Sequence, residues 1–341
     1  MPSNATLSHH TTSHHMALGF ASSLQLLPFP SISHLNLLPF LKRLFSFVFL
    51  KDLSLSFYFL YCGLTSCTID LDDHQTSIHF YVPTRRRFSK PALVLVHGFG
   101  GNARWQWQHQ VQALSSAFDL FVPDLIYFGG SSSTSAERSV EFQARCVGEG
   151  LRRLGVERYS ACGLSYGGFV VYQMAEAYRE EIEKVVIMSS GICAKEEQRE
   201  EMLRREGRDV VEILMPERAE DLRVLVERSM YRPPSWMPGF LLQDFIHVMY
   251  MDHRKERIEM LKELLEKKVE VNPLHVLNQE TLIIWGDQDN VFPLYMGYQL
   301  KRHLGEKSRL EIIKDAGHAS QMESPRLVND LIKSFICDSW Q

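Results

Sequence analysis

Tyr159-Ser160-Ala161-Cys162-Gly163-Leu164-Ser165-Tyr166-Gly167 runs from an apolar, β-rich segment straight into a turn framed by glycine, and helical sequence follows over 169–177. The glycines stand two residues before and two residues after Ser165, the spacing that allows a strained strand-to-helix turn with the serine oxygen at its apex. Larger residues would crowd that turn. A five-residue match also arises by chance, and a free serine hydroxyl is a poor nucleophile unless a base and a group orienting the base lie within reach. The weight of Ser165 therefore depends on what the rest of the chain supplies.

Outward from this turn, short β-rich runs alternate with helical stretches. Strands are predicted at 77–82, which opens the sheet, and at 92–96, 120–122, 159–164, 185–189, 282–285 and 310–313. Several are continuous apolar runs, as buried parallel strands tend to be. The alternation predicts an α/β fold: a mostly parallel, doubly wound sheet with helices on both faces. Between the strands at 185–189 and 282–285 lies a helical insertion, 192–279. Its charged segments suit solvated helix faces, and a helical excursion of this kind can cover the C-terminal edge of the sheet, where ligands of open α/β folds bind. The expected organisation is a leader over 1–64, poorly ordered and either targeting or membrane-associating, a core over 65–191 and 280–341, and the insertion as a lid.

Three further places offer partners for Ser165. The run ending at Trp285 continues as Gly286-Asp287-Gln288-Asp289, and Asp289 is the preferred carboxylate, with Asp287 the fallback; either can also serve simply to cap a turn. His318, in Asp315-Ala316-Gly317-His318 after the last strand, is placed to reach over the sheet edge as general base, whereas most of the fourteen histidines suit solvated or packed roles. The loop His97-Gly98-Phe99-Gly100-Gly101 follows another strand. Its Phe99 N–H and that of Tyr166 are the expected oxyanion donors, and His97 is read as a loop-orienting residue, not a base. In the insertion, Trp236, Phe240 and Phe245 are candidates for an apolar substrate-binding surface, or equally for packing the lid on the body.

Composition bounds the rest. A net charge of −4 gives no electrostatic case for nucleic-acid binding. Six scattered cysteines read as buried free thiols suited to a reducing, intracellular compartment, and no metal or cofactor is expected; Cys62 and Cys67 lack the further ligands a zinc site needs. Residues 1–50 contain no Asp or Glu, are rich in Ser and Thr, and carry paired histidines, as an address segment would. Residues 35–60 are rich in Leu and Phe, but Lys42, Arg43, Lys51 and Asp52 interrupt them before an uncharged run reaches the about 20 residues of a spanning helix. Membrane-surface association through 35–60 is one expectation for that stretch, and a disordered leader the other.

The loop at His97, the segment 124–131, the serine turn and the acid turn at 285–293 together resemble the α/β-hydrolase superfamily, over about residues 77–339. Within it the chain is similar to lidded lipases and esterases such as monoacylglycerol lipases, to meta-cleavage-product hydrolases that cut carbon–carbon bonds, and, at 97–107, to plant hydrolases mostly without assigned substrates. The resemblance implies a serine hydrolase acting on a small or lipid-like ester, with Ser165, Asp289 and His318 in the chain order described for this fold. It equally admits carbon–carbon bond hydrolysis, or a ligand receptor built on the same scaffold. Epoxide hydrolases and haloalkane dehalogenases of the superfamily place an aspartate where this chain has Ser165. The leader over 1–64 departs from the family pattern.

Overall fold

A computed structural model of the chain describes residues 46–87, 90–195, 197–198, 207, 209–266 and 274–338. The expectations for residues 1–45 lie outside that range. Among the described residues the strands are β1 (Leu64–Asp70), β2 (Thr76–Pro83), β3 (Ala92–Val96), β4 (Asp119–Pro123), β5 (Ser132–Ser133), β6 (Tyr159–Leu164), β7 (Ile182–Met188), β8 (Glu280–Gly286) and β9 (Ser308–Ile313). The helices are α1 (Phe47–Tyr61), α2 (Ala103–Trp107), α3 (Val111–Ser115), α4 (Val140–Arg153), α5 (Tyr166–Ala177), α6 (Val210–Leu214), α7 (Ala219–Ser229), α8 (Gly239–Met249), α9 (Arg254–Glu266), α10 (Tyr295–Leu304), α11 (Ser320–Glu323) and α12 (Pro325–Cys337).

The strands form one sheet in the order β1-β2-β4-β3-β6-β7-β8-β9, with β5 beside β2. Pairing is antiparallel at the β1-β2-β4 end and parallel from β4 through β9. Because side chains alternate across a strand, each parallel strand feeds two cores. Val94 and Val96 of β3 join Ile283 and Trp285 of β8 on one face, while Leu93 and Leu95 join Leu282 and Ile284 on the other. Burial on both faces is why these runs carry no polar alternation in sequence.

Two expectations at the N-terminal end need correction. The strand at 77–82 does not open the sheet: β1 precedes it, paired with β2 from Leu64↔Pro83 to Asp70↔Ser77. Its Thr65, Ser66 and Thr68 suit a solvent-facing edge strand, so it lacked the apolar signature of the others. Nor is the stretch up to 64 wholly a poorly ordered leader. Ser46 caps α1 by accepting from the Phe49 N–H, and Val48, Leu55 and Phe59 along one side of α1 are buried. Phe59 stacks edge-on against Tyr81 of β2 at 5.0 Å.

The insertion contributes α6 to α9, whose apolar side chains form a separate cluster with Val48 of α1 and with Phe99 and Trp105 of the core. Arg257 of α9 pins it down, donating to the Tyr127 carbonyl at 2.7 Å and lying 4.4 Å over the Phe128 ring. Burial lowers the pKa of that guanidinium to about 10. No described helix is long and apolar enough to cross a membrane.

Candidate active site

Ser165 joins β6 to α5 with φ 53° and ψ −116°, a left-handed backbone that a residue with a Cβ adopts only under strain. The surroundings enforce it. A Cβ at Gly163 would overlap the Gly167 carbonyl, and one at Gly167 would overlap the carbonyls of Val96 and His97. The turn is thus pressed against the end of β3. Its ends are tied by the Ser165 N–H to Met188 (2.8 Å) and by the Gly168 N–H to the Ser165 carbonyl (2.9 Å).

The loop after β3 lies alongside. A Cβ on Gly98 would stand 2.9 Å from the Leu164 carbonyl and 3.1 Å from the Ser165 Cβ, so this loop and the serine turn touch backbone to backbone. Its shape is set by two side chains. His97 is fully buried; its Nδ1 lies 2.7 Å from the Gly98 carbonyl and its Nε2 accepts from the Leu125 N–H at 2.9 Å, a pattern that leaves Nδ1 as the donor. Burial pushes the His97 pKa down and favours the neutral ring. Gln106 of α2 accepts from the Gly98 N–H at 2.7 Å and donates to the carbonyls of Gly98 (3.0 Å) and Gly100. Among the described residues the N–H groups of Phe99 and Tyr166 engage no acceptor; that of Tyr166, in the first turn of α5, has no intrahelical partner.

On the other side, β8 ends at Gly286 and the chain turns through Asp289. One oxygen of Asp289 accepts the N–H groups of Val291 and Phe292, both at 2.8 Å, and the other lies 3.0 Å from His318 Nδ1. The Asp289 side chain is wholly buried and that of His318 nearly so. Trp285 secures the turn by donating to the Phe292 carbonyl at 2.8 Å. The N–H groups of Asp287 (to Ile313, 3.0 Å) and Gln288 (to Ala316, 2.9 Å) stitch the turn to the segment that carries His318. Asp287, the fallback acid, makes no hydrogen bond to His318.

Glu323 and Gln106 had no sequence signal. The Glu323 carboxylate accepts N–H groups from Gly317 (2.7 Å), Tyr231 (3.2 Å) and Arg232 (2.9 Å), and so fastens the His318 loop to the insertion. Of the apolar candidates in the insertion, Phe245 stacks on Trp105 at 5.1 Å and lies beside Tyr250. Trp236 and Phe240 instead point outward, 74% and 62% exposed. Tyr250, which carried no sequence signal, roofs the loop: a Cβ on Gly100 would meet its hydroxyl at 2.6 Å. Burial raises its pKa to about 12, so it is a neutral phenol at ordinary pH. Among the described residues no group of three His, Cys, Asp or Glu is placed to hold a metal ion; the six cysteines are free thiols, but only Cys146 and Cys162 on the central elements are buried, and Cys337 is exposed near the end of α12.

A family model of the alpha/beta hydrolase fold matches residues 91–325, and the chain belongs to that family. Mouse epoxide hydrolase 4 is 23% identical over 309 residues, which cover 80% of this chain and 79% of the relative. Among solved structures, a bacterial membrane phospholipase A superposes with a TM-score of 0.69 at 21% identity, covering 88% of this chain and 96% of its own. The 2-hydroxy-6-oxo-6-phenylhexa-2,4-dienoate hydrolase of Rhodococcus sp. strain RHA1 superposes with a TM-score of 0.68 at 22% identity, covering 81% of this chain and all of its own. The chain is thus similar to hydrolases of differing chemistry, with the same fold beneath them.

Proposed function

We propose that this chain is a serine hydrolase that cleaves a carboxylic ester, small or lipid-like, through an acyl-enzyme on Ser165. The observation that carries this reading is the pairing of His318 Nδ1 with Asp289 Oδ2 at 3.0 Å, in a fold whose strand-to-helix turn holds Ser165 at φ 53°. With Nδ1–H given to Asp289, the Nε2 lone pair of His318 is left to take the Ser165 proton as Oγ attacks the carbonyl carbon. The N–H groups of Phe99 and Tyr166 receive the oxyanion. Imidazolium then protonates the departing alcohol, and a water activated by the same nitrogen releases the acid. Asp289 keeps its charge throughout and stabilises the imidazolium. A serine in place of an aspartate at the nucleophile position supports acyl-enzyme chemistry over epoxide opening.

The test is substrate profiling of the purified protein on short- and medium-chain esters beside vinylogous diketones of the meta-cleavage type, together with labelling by a serine-directed phosphonate. Ester turnover and labelling that both vanish in Ser165→Ala support the proposal. Preference for diketones would move the same three residues to carbon–carbon bond hydrolysis. Inertness to the phosphonate and to every substrate would overturn the enzymatic reading in favour of a ligand-binding role.

A further inference from the structure

Helix α1 is apolar on both sides. Val48, Leu55 and Phe59 face the core, while Phe47, Leu50, Leu53, Phe57, Leu60 and Tyr61 are exposed, from 43% at Leu53 to 80% at Tyr61. Phe47, Leu50, Leu53, Phe57 and Leu60 recur every three or four residues and therefore share one face. That face does not stop at the helix. The Phe47 ring lies 6.3 Å from that of Phe240 on the insertion, itself exposed, and Trp236 stands outward in the segment leading into α8. An apolar surface built from two separate parts of the chain is unusual for water-facing residues and marks a contact surface.

We infer that this face docks on an anionic lipid surface. Charge selects the partner. The sequence has no acidic residue before Asp52, while Lys42, Arg43 and Lys51 lie in and just ahead of α1. The carboxylate of Asp52 points the other way, pairing with Arg104 and accepting from Asn102 (3.2 Å) and Trp105 Nε1 (3.0 Å). The exposed side of α1 is thus apolar, in a stretch of sequence whose charges up to Tyr61, apart from the inward-turned Asp52, are all basic, the combination that holds a helix in a headgroup region. At 15 residues the helix is too short to span and suited to lying flat.

The inward contacts give docking a consequence. Asp52 grips Asn102, Arg104 and Trp105, which follow directly on the Gly98–Gly101 loop. At the N-terminus of α1, Asp244 of α8 accepts from Ser46 Oγ and the Val48 N–H, both at 2.9 Å. One helix therefore ties the loop beside Ser165 to the insertion, and its seating on lipid sets both. This second part rests on the proposed catalytic role of that loop; the docking itself does not.

The full-length protein is mixed with vesicles of phosphatidylcholine, or of phosphatidylcholine with phosphatidylserine, and sedimented. The expected result is co-sedimentation with the anionic vesicles, weakened by salt. Phe57→Ser with Leu60→Ser should weaken partition by about a hundredfold, about tenfold for each side chain withdrawn, while turnover of a water-soluble ester and the melting temperature stay at the parent values. Asp52→Asn should still bind vesicles but lose any lipid-dependent gain in turnover. Undiminished pelleting of the double variant, or equal binding to neutral vesicles, overturns the docking. So does a lipid-free dimer that the double variant dissociates, since a second copy would then occupy the face. A lipid-dependent gain that survives in Asp52→Asn overturns the coupling. Absence of ester turnover in every form would strike the hydrolase reading alone, because vesicle binding is measured without it.

Discussion

Asp289 holds His318 with one carboxylate oxygen while two backbone N–H groups, those of Val291 and Phe292, hold the other. A carboxylate so gripped cannot swing away, so the imidazole it orients has one tautomer and one direction. Asp287, two residues earlier, has a buried oxygen with no hydrogen-bond partner and no link to His318. Asp289→Asn should therefore cut kcat by about 10⁴-fold, as loss of the orienting acid does in other triads, whereas Asp287→Asn should stay within about tenfold of the parent. Steady-state kinetics on whichever ester is turned over decides between them, and a reversed order would move the acid to Asp287.

Gln106 supports the loop opposite. It fills the hydrogen-bonding needs of Gly98 and Gly100, so Gln106→Ala should leave the loop free to sag. The expected loss is about tenfold or more in kcat, less than the 10²–10³-fold for deleting an oxyanion donor outright, with KM little changed. A rise in KM at constant kcat would instead make Gln106 a substrate contact.

Glu323 gathers three N–H groups from the His318 loop and the insertion. Glu323→Ala leaves them without that acceptor, at about 1–3 kcal/mol of stability. The same change should loosen His318 and lower kcat. Denaturant titration and kinetics on the one variant check both, and full activity in a destabilised protein would confine Glu323 to a structural role.

His97 makes stability depend on pH. Burial lowers its folded pKa, so above the ordinary histidine value of about 6.5 neither folded nor unfolded chain protonates it and its contribution is intact. As pH falls below that value the unfolded chain takes up a proton that the folded ring resists, and stability drains away until the folded pKa is reached. The slope attributable to one such group approaches about 1.4 kcal/mol per pH unit. Urea midpoints at pH 7.5 and at pH 5 should show this loss, and His97→Gln should flatten it on a less stable background. An unchanged slope in that variant would assign the effect to other groups.

What could be read from sequence was what steric and chemical necessity writes locally. Gly163 and Gly167 announce a turn because nothing larger fits, and Asp289 and His318 announce themselves by standing just past apolar strands. Gln106 and Glu323 left no such trace: they act on the backbone of distant loops, and their partners become neighbours only when the sheet has formed. Strand β1 was missed because an edge strand with polar side chains lacks the apolar run that betrays a buried one. A helix at a membrane surface is one of the expectations for residues 35–60, and Lys51 and Asp52, which interrupt the apolar run in sequence, both sit on α1, one exposed and the other spent on Asn102, Arg104 and Trp105. The aromatic chemistry of Trp236 and Phe240 suits a substrate surface or lid packing equally, and chemistry does not say which way a ring faces: both are exposed.

The placement of His318 after β9, at the end of the sheet path away from β1, bears on the life of the protein before it is finished. The serine turn closes on β3, β6 and β7, all of which leave the ribosome ahead of β8 and β9. A nascent chain can thus display the turn while the histidine that would activate it is still unsynthesised, and parallel pairings between strands so distant in sequence are slow to form. On the proposed mechanism the Ser165 hydroxyl is therefore without its base until residue 318 has been synthesised and its strand paired.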